Sequence, residues 1–476
     1  MFHEIAKLER CTPRFLIESI TGVEVDMKSR SIALIAVCML FPAALLAQPA
    51  GKKELVGVWA VREAQGGQSQ PPVLSLAMFR GDGSFIKCLG YKALPANAAL
   101  EELATELGPG YGGWAATDNA GEFRLTFYSV MRKAGRVNGF QRTQDTLVLS
   151  ESGNEYAGHA RTDFLDTNWN VVFSTTTDVK GARLETPIPP MSVREPAGKK
   201  LLVGVWMVSV SPTGQSPLLS LAMFGGDGCF ATCGGYKALP HVPAVEGVAT
   251  EVGLGCGRWA AQSDREFRLT FYSVLGKAGL VNGFQRVQDT LTLSESSDEY
   301  TGHSKADFLD ANWNVVFTTS SDIKGTRLET PKPALSVALP DERKGVWEMK
   351  AVLPGSSLQF MPGLTLVAED GSYTHSFLSA APPVPAVQAV ANELGPGFGR
   401  LVRTGDREFQ LTFYTLLWKA GQVNGFERVQ RSDVLAESGD EYKGHARMDF
   451  FDVNWNVVFT TTAESDGTRL ETPGQD

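Results

Sequence analysis

One phrase occurs three times along this chain: EYAGHARTDFLDTNWNVVF from Glu155, EYTGHSKADFLDANWNVVF from Glu299 and EYKGHARMDFFDVNWNVVF from Glu441. Repetition on this scale constrains the fold more than composition does, because each copy must occupy an equivalent unit. The units open on LVGVWAV (Leu55–Val61), LVGVWMV (Leu202–Val208) and KGVWEMK (Lys344–Lys350). They close on GARLETP, GTRLETP and GTRLETP, which begin at Gly181, Gly325 and Gly467. The opening tryptophans therefore lie about 140 to 150 residues apart, a domain spacing and not the 20–50-residue period of a solenoid. The predicted partition is an N-terminal extension with a signal segment over 1–47, then units over 54–187, 201–331 and 344–473. Proline-bearing linkers over 188–200 and 332–343 join them. Units one and two are close copies; the third has drifted, mostly before residue 400.

Within a unit the signals are those of strands. EFRLTFYSVM sets Phe123, Leu125 and Phe127 against Arg124, Thr126 and Tyr128, the two-residue period of a half-buried strand. Turn chemistry separates such runs: Gly-Asp-Gly at 81–83, DNAG at 118–121, KAGRVNG at 133–139, ESGNE at 151–155 and DTNWN at 166–170. Eight or nine strands joined by short hairpins predict an all-β chain of three up-and-down barrels, since closure removes exposed edges. One helical insert interrupts each. PANAALEELATELG puts Leu100, Leu103 and Leu107 on one stripe and stops at Gly108; the counterparts are Val245, Val248, Val252 and Val387, Val390, Leu394. Such a helix covers an open barrel end, as a plug or as a lid over a ligand mouth.

An opening Gly-x-Trp, a meander of about eight strands and a closing strand with Arg resemble the lipocalin-like (calycin) barrels. The residues are Gly57, Trp59 and Arg183; Gly204, Trp206 and Arg327; Gly345, Trp347 and Arg469. The succession of Trp59, LTF at 125–127, Tyr156, Gly158, Phe164, Asp166 and GAR at 181–183 is similar to lipocalin-like domains of uncharacterised bacterial proteins. The resemblance implies that each Trp crosses the closed end of its barrel with the Arg packed on it, a contact worth about 0.5–2 kcal/mol.

Export is predicted from MKSRSIALIAVCMLFPAALLAQPA, with Met27 as the start, Lys28 and Arg30 before an apolar run from Ile32 to Leu46, and a cut before Gln48. An uncleaved anchor and a lipoprotein cut before Cys38 are the competing readings. No other segment is long and apolar enough to span a membrane as a helix. The net charge of −9, without Lys/Arg clusters, argues against nucleic-acid partners. Cys88, Cys229, Cys233 and Cys256 do not recur in every unit, so they are no common framework. Cys229 and Cys233, four apart on a strand, sit about 13 Å apart, beyond disulfide reach; Cys256 could pair with either. No metal or cofactor motif is present: DTNWN imitates the start of a calcium loop, but Val171 and Thr177 replace the Gly and Glu it requires.

Two polar columns repeat. On a strand, His159, Arg161 and Asp163 share one face, as do His303, Lys305, Asp307 and His445, Arg447, Asp449. They form either a catalytic or ligand-orienting strip or the solvent side of a barrel wall; the wall is the reading adopted. Arg142 with Gln144, Arg286 with Gln288, and Arg428 with Gln430 form the second set. They grip a carboxylate if inward and are solvated if outward, and the outward face is expected. The function expected is an exported tandem binder of small apolar or amphipathic molecules, one per barrel. The alternatives are an interaction module with filled barrels and, third, an enzyme using the histidine column.

Overall fold

The computed structural model describes residues 55–473 apart from 66–71, 90–93, 95–96, 135, 187–198, 213–216, 236, 238, 241, 279, 330–338, 340–342, 353–360, 377–380 and 383. The predicted signal segment at Met27 and nearly all of both linkers lie outside these residues. No described helix is long and apolar enough to cross a membrane.

Each unit closes on itself as an eight-stranded antiparallel barrel, which is the all-β architecture expected from the strand periodicity. The first barrel comprises β1 (Gly57–Gln65), β2 (Val73–Phe79), β3 (Ser84–Cys88), β4 (Glu106–Ala116), β5 (Glu122–Lys133), β6 (Arg136–Leu149), β7 (Glu155–Asp166) and β8 (Val171–Arg183). The second runs from β9 (Gly204–Pro212) to β16 (Val315–Arg327), and the third from β17 (Gly345–Val352) to β24 (Val457–Leu470). Closure is made by β1 pairing with both β2 and β8, with Trp59 opposite Arg183 in the register. The Arg183 guanidinium lies 4.3 Å from the centre of the buried Trp59 ring and donates to the Val56 carbonyl at 2.7 Å. Arg327 lies over Trp206 at 4.3 Å and Arg469 over Trp347 at 5.1 Å. Tyr156 completes the seal, 5.0 Å from the Trp59 ring. It needs Gly181 beneath it, because a Cβ there would stand 2.1 Å from the tyrosine ring.

The helical inserts are shorter than their stripes suggest. The helices α1 (Ala98–Leu103), α2 (Pro243–Val248) and α3 (Pro385–Val390) each bury one residue, Leu100, Val245 and Val387. Leu107, Val252 and Leu394, expected on the same helices, belong to the strands that follow. They join the same apolar clusters because a strand entering the barrel wall can present its inward residue to the helix's buried face.

Beyond the single barrels, the three pack in a ring. β1 and β2 lie on β12 (Glu251–Ala261), β13 (Glu266–Lys277) and β14 (Leu280–Leu293) of the second barrel. In the same way β9 and β10 (Leu218–Phe224) lie on β20 (Glu393–Arg403), β21 (Glu408–Lys419) and β22 (Gln422–Leu435). β17 and β18 (Met361–Val367) return to β4, β5 and β6 of the first. One head-to-tail contact used three times closes the ring, as a heterologous interface does when its rotation closes. Outward residues of all three barrels share one apolar cluster, in which Leu76 and Met78 accompany Tyr272, Val274 and Phe284. The LETP phrase serves this ring: Tyr272 donates to the Glu185 carbonyl at 2.9 Å, Tyr414 to Glu329 at 2.8 Å and Tyr128 to Glu471 at 3.0 Å. The four cysteines are free and buried, and Cys256 faces Cys88 of the first barrel, not Cys229 or Cys233.

The three Gly-Asp-Gly-type turns meet where the ring closes. Asp82, Asp227 and Asp370 each accept from the amide two residues on, at Ser84, Cys229 and Ser372. Asp82 also accepts from the Glu369 amide at 3.0 Å, and Asp370 from the Gly226 amide at 2.6 Å. The third link differs: Arg80, 2 % exposed, reaches both oxygens of Asp227 at 3.0 and 3.1 Å and Asp370 at 3.5 Å. Its counterparts in the other units are Gly225 and Ala368, so a single guanidinium bonds the carboxylates of two turns and feels the charge of the third, Asp82.

Candidate functional site

The strand period places Gln141, Thr143 and Asp145 of β6 inside the first barrel, and the two remaining units repeat the geometry with different side chains. Three interior positions decide what each barrel contains. In the first barrel they hold Glu63, Lys87 and Asp145. Lys87 Nζ bonds Glu63 and lies 4.7 Å from the Phe127 ring centre. Gln141 donates to Thr143 at 3.1 Å, and Thr143 meets Thr162 at 3.1 Å. Burial pushes the Asp145 carboxyl up to about 7 against the pull of Lys87. This interior is occupied by the chain's own ion pair and hydroxyls.

In the third barrel the same positions hold Ala351, His375 and Arg431, and further charges enter. Arg343 replaces Leu55 and Leu202 of the other units, and Asp433 replaces Leu147 and Leu291. Arg343 bonds Asp433 at 2.6 Å, Arg431 bonds it at 2.6 Å, and Arg343 lies 4.2 Å from the Tyr442 ring centre. His375 stacks 5.2 Å from Phe413 and meets the Tyr373 hydroxyl at 3.2 Å. The third barrel also holds Glu427, fully buried, with neither carboxylate oxygen hydrogen-bonded; burial pushes it up to about 8.

The second barrel differs from both. Its three positions are Val210, Thr232 and Asp289, so the ion pair is gone but one acid remains. The space left is a cavity of about 150 Å³. Val210, Leu269, Phe271, Val287, Phe308 and Ile323 supply much of its wall, with Tyr300, Ser304 and Asp289 as polar groups. Asp289 is 9 % exposed and its Oδ1 has no hydrogen-bond partner. Burial pushes its carboxyl up to about 7, with Ser304 donating to it. An apolar enclosure with a few convergent polar groups is the form small-molecule sites take. α2 and the residues around it cover part of the open end: Val245 and Ala249 pack with Leu275, Val287 and Phe308.

The polar columns lie outside the barrels. His159 Nδ1 is 2.8 Å from Asp178, His303 2.7 Å from Asp322 and His445 2.8 Å from Glu464, each His side chain more than half exposed. Arg161, Lys305 and Arg447 extend along the same face toward Asp163, Asp307 and Asp449. Those carboxylates are buried against the wall, and the second polar set reaches them from the neighbouring strand. Arg142 bonds Asp163 at 2.7 Å, Arg286 bonds Asp307 at 2.6 Å and Arg428 bonds Asp449 at 2.8 Å. Burial would raise Asp163, but hydrogen bonds from Arg142, Ser174 and Arg161 outweigh it and hold the carboxyl below its usual value. Thus the two columns form one patch in register, with Gln144 opposite Arg161, Gln288 opposite Lys305 and Gln430 opposite Arg447.

In the second barrel Gln288, His303 and Lys305 line an open depression of about 390 Å³. Water fills such a hollow and screens its charges, so it offers little to tune a proton transfer. Replacing His159, His303 and His445 together with glutamine is expected to leave the melting temperature within about 2 °C of the parent, as exposed pairs contribute little. A larger drop in a calorimetric scan would show that the column does more than face solvent.

Sequence reasoning missed Asp145, Asp289 and the Arg80 junction. The alternation that made Arg142 and Gln144 outward already assigned Gln141, Thr143 and Asp145 inward, so the acid was legible there. The Arg80 junction had no local signal, since its partners are 147 and 290 residues away. At DTNWN, the Asp166 carboxylate accepts from the Asn168 and Asn170 amides at 2.8 and 2.9 Å. Trp169 stacks on Phe140 at 4.7 Å.

No protein-family model matches the chain, and no curated protein matches it. Among solved structures, a protein with unknown function from the DUF3598 family of Nostoc punctiforme PCC 73102 aligns over 88 % of this chain and 98 % of its own. The identity is 11 % and the TM-score 0.10, a likeness too distant to bear on fold family or function.

Proposed function

We propose that the protein is an exported, lipocalin-like binder that takes one small apolar or amphipathic molecule in its second barrel. The observation that carries this reading is the 150 Å³ cavity between Phe271, Val287 and Ile323. An apolar cavity of about that size in another protein is known to stay dry and to bind benzene. The reading narrows the expectation of one ligand per barrel, because Lys87 with Glu63, and Arg343 with Arg431 and Asp433, put charged groups into the other two interiors. Those charged interiors favour a second role for units one and three, as a rigid scaffold whose outer faces hold the hollow barrel in the ring.

Titration of the full chain with fluorobenzene, followed by fluorine NMR, is expected to saturate at one equivalent. Introducing the first barrel's pair into the second, Val210→Glu with Thr232→Lys, should abolish binding while the circular dichroism spectrum stays that of the parent. Absence of saturable binding, or binding unchanged in the folded double variant, would refute the proposal.

A further inference from the structure

The three interiors differ in how their carboxylates are balanced. In the first barrel the Lys87 ammonium bonds Glu63 and its charge acts on Asp145, whose Oδ1 has no hydrogen-bond partner. In the third, Arg431 and Arg343 both bond Asp433. The second keeps the acid, Asp289, but has Thr232 where the first has Lys87, and the described lining of its cavity contains no Lys, Arg or His. Oδ1 of Asp289 is buried and unpartnered at the edge of that empty volume. A buried carboxyl without a partner is costly; the first and third interiors each hold a buried cation, Lys87 and Arg431, whereas the described lining of the second cavity holds none.

We infer that the ligand of the second barrel is a small molecule with an apolar body and a protonated amine, whose ammonium takes the place that Lys87 fills in the first barrel and pairs with Asp289. This rests on the binding reading above and specifies its ligand class. The apolar body lies among Leu269, Phe271, Val287 and Ile323, where the volume of about 150 Å³ accommodates one aromatic ring. Ser304, already donating to the carboxyl, holds it oriented while the ammonium approaches the free oxygen.

The pH dependence follows from the same groups. The other ionisable residues in the described lining of the cavity are Tyr300 and Cys233, and burial pushes both upward, so both stay neutral through the physiological range. Asp289 alone changes charge there. Its carboxyl is neutral below about 7 and ionised above, so capture of an ammonium strengthens as the pH rises.

The test compares benzylamine, toluene and benzoate binding to the full chain by calorimetry near pH 8 and near pH 5.5. Benzylamine is expected to bind at least tenfold more tightly than toluene at the higher pH, to lose most of that margin at the lower, and to exclude benzoate. Asp289→Asn should erase the margin and leave toluene binding in place. Thr232→Lys, which restores the chain's own ammonium, should abolish benzylamine binding even if the Asn variant fails to fold. Toluene binding as tightly as benzylamine near pH 8, or a margin that survives Asp289→Asn, overturns the amine assignment alone. Failure of all three compounds overturns both it and the binding reading.

Discussion

Replacing Arg80 with methionine is expected to destabilise the chain by about 3 kcal/mol at neutral pH, although methionine keeps most of the buried volume. The reason is the company Arg80 keeps. Asp227 and Asp370 come from two other barrels, and each is held in place by amide hydrogen bonds that remain when the guanidinium is gone. Burial would push the Asp227 carboxyl up, but the Arg80 charge and its hydrogen bonds outweigh that and hold it well below the usual range. A carboxyl depressed in the folded state contributes stability above its unfolded value near 3.8, and that contribution disappears as the pH falls through the folded value. The gap between parent and variant should therefore be widest near neutrality and shrink in acid. Both carboxylates remain partly exposed, so the lower end of the range for broken buried pairs applies. Urea titrations at several pH values would read the effect, and Arg80→Met combined with Asp227→Asn should recover part of the loss. A methionine variant as stable as the parent would mean that the ring closes on packing alone.

Exchanging Glu427 for glutamine should act in the opposite direction. Both other barrels already carry glutamine at this position, Gln141 and Gln285, so the fold accommodates it. Burial is the only cause of the upward shift of Glu427 to about 8, from 4.5 in the unfolded chain. A carboxyl raised in the folded state binds its proton more tightly there, so stability is full in acid and falls as the pH rises from 4.5 through about 8. Integrated over that window the loss is roughly 5 kcal/mol. Glu427→Gln is expected to match the parent near pH 4 and to exceed it by about that amount near pH 9. Asp145 and Asp289, each raised to about 7, add their own decline below neutrality, which the substitution leaves untouched. Parallel stability curves for parent and variant across this range would refute the argument.

The parts of the architecture that could be read from the chain share one property: each depends on residues within a strand or a turn. Phe123, Leu125 and Phe127 alternate because a strand turns successive side chains to opposite faces. The turns are set by local hydrogen bonds such as those of Asp166. That one strand is covered on both faces was legible too. In β2, Leu74, Leu76 and Met78 alternate with Ser75, Ala77 and Phe79, so neither face is suited to water, as in a strand buried on both sides. Tyr128 gave no such warning, because a tyrosine beside Arg124 and Thr126 fits a solvated wall as well as it fits the clasp on Glu471.

From its sequence alone, then, the chain determined three cylinders of eight or nine strands and the inward or outward sense of most side chains, since these follow from periodicity and near neighbours, while the Trp–Arg seal of each was implied by a resemblance. Only the tertiary structure decided that the cylinders form a closed ring, that one arginine ties together turns of two distant barrels, and that the second interior is hollow. Those outcomes depend on volumes and charges brought together across hundreds of residues. Val210 and Thr232 matter less as types than as the absence of Glu63 and Lys87 around the same acid, a difference visible only once the barrels are laid over one another.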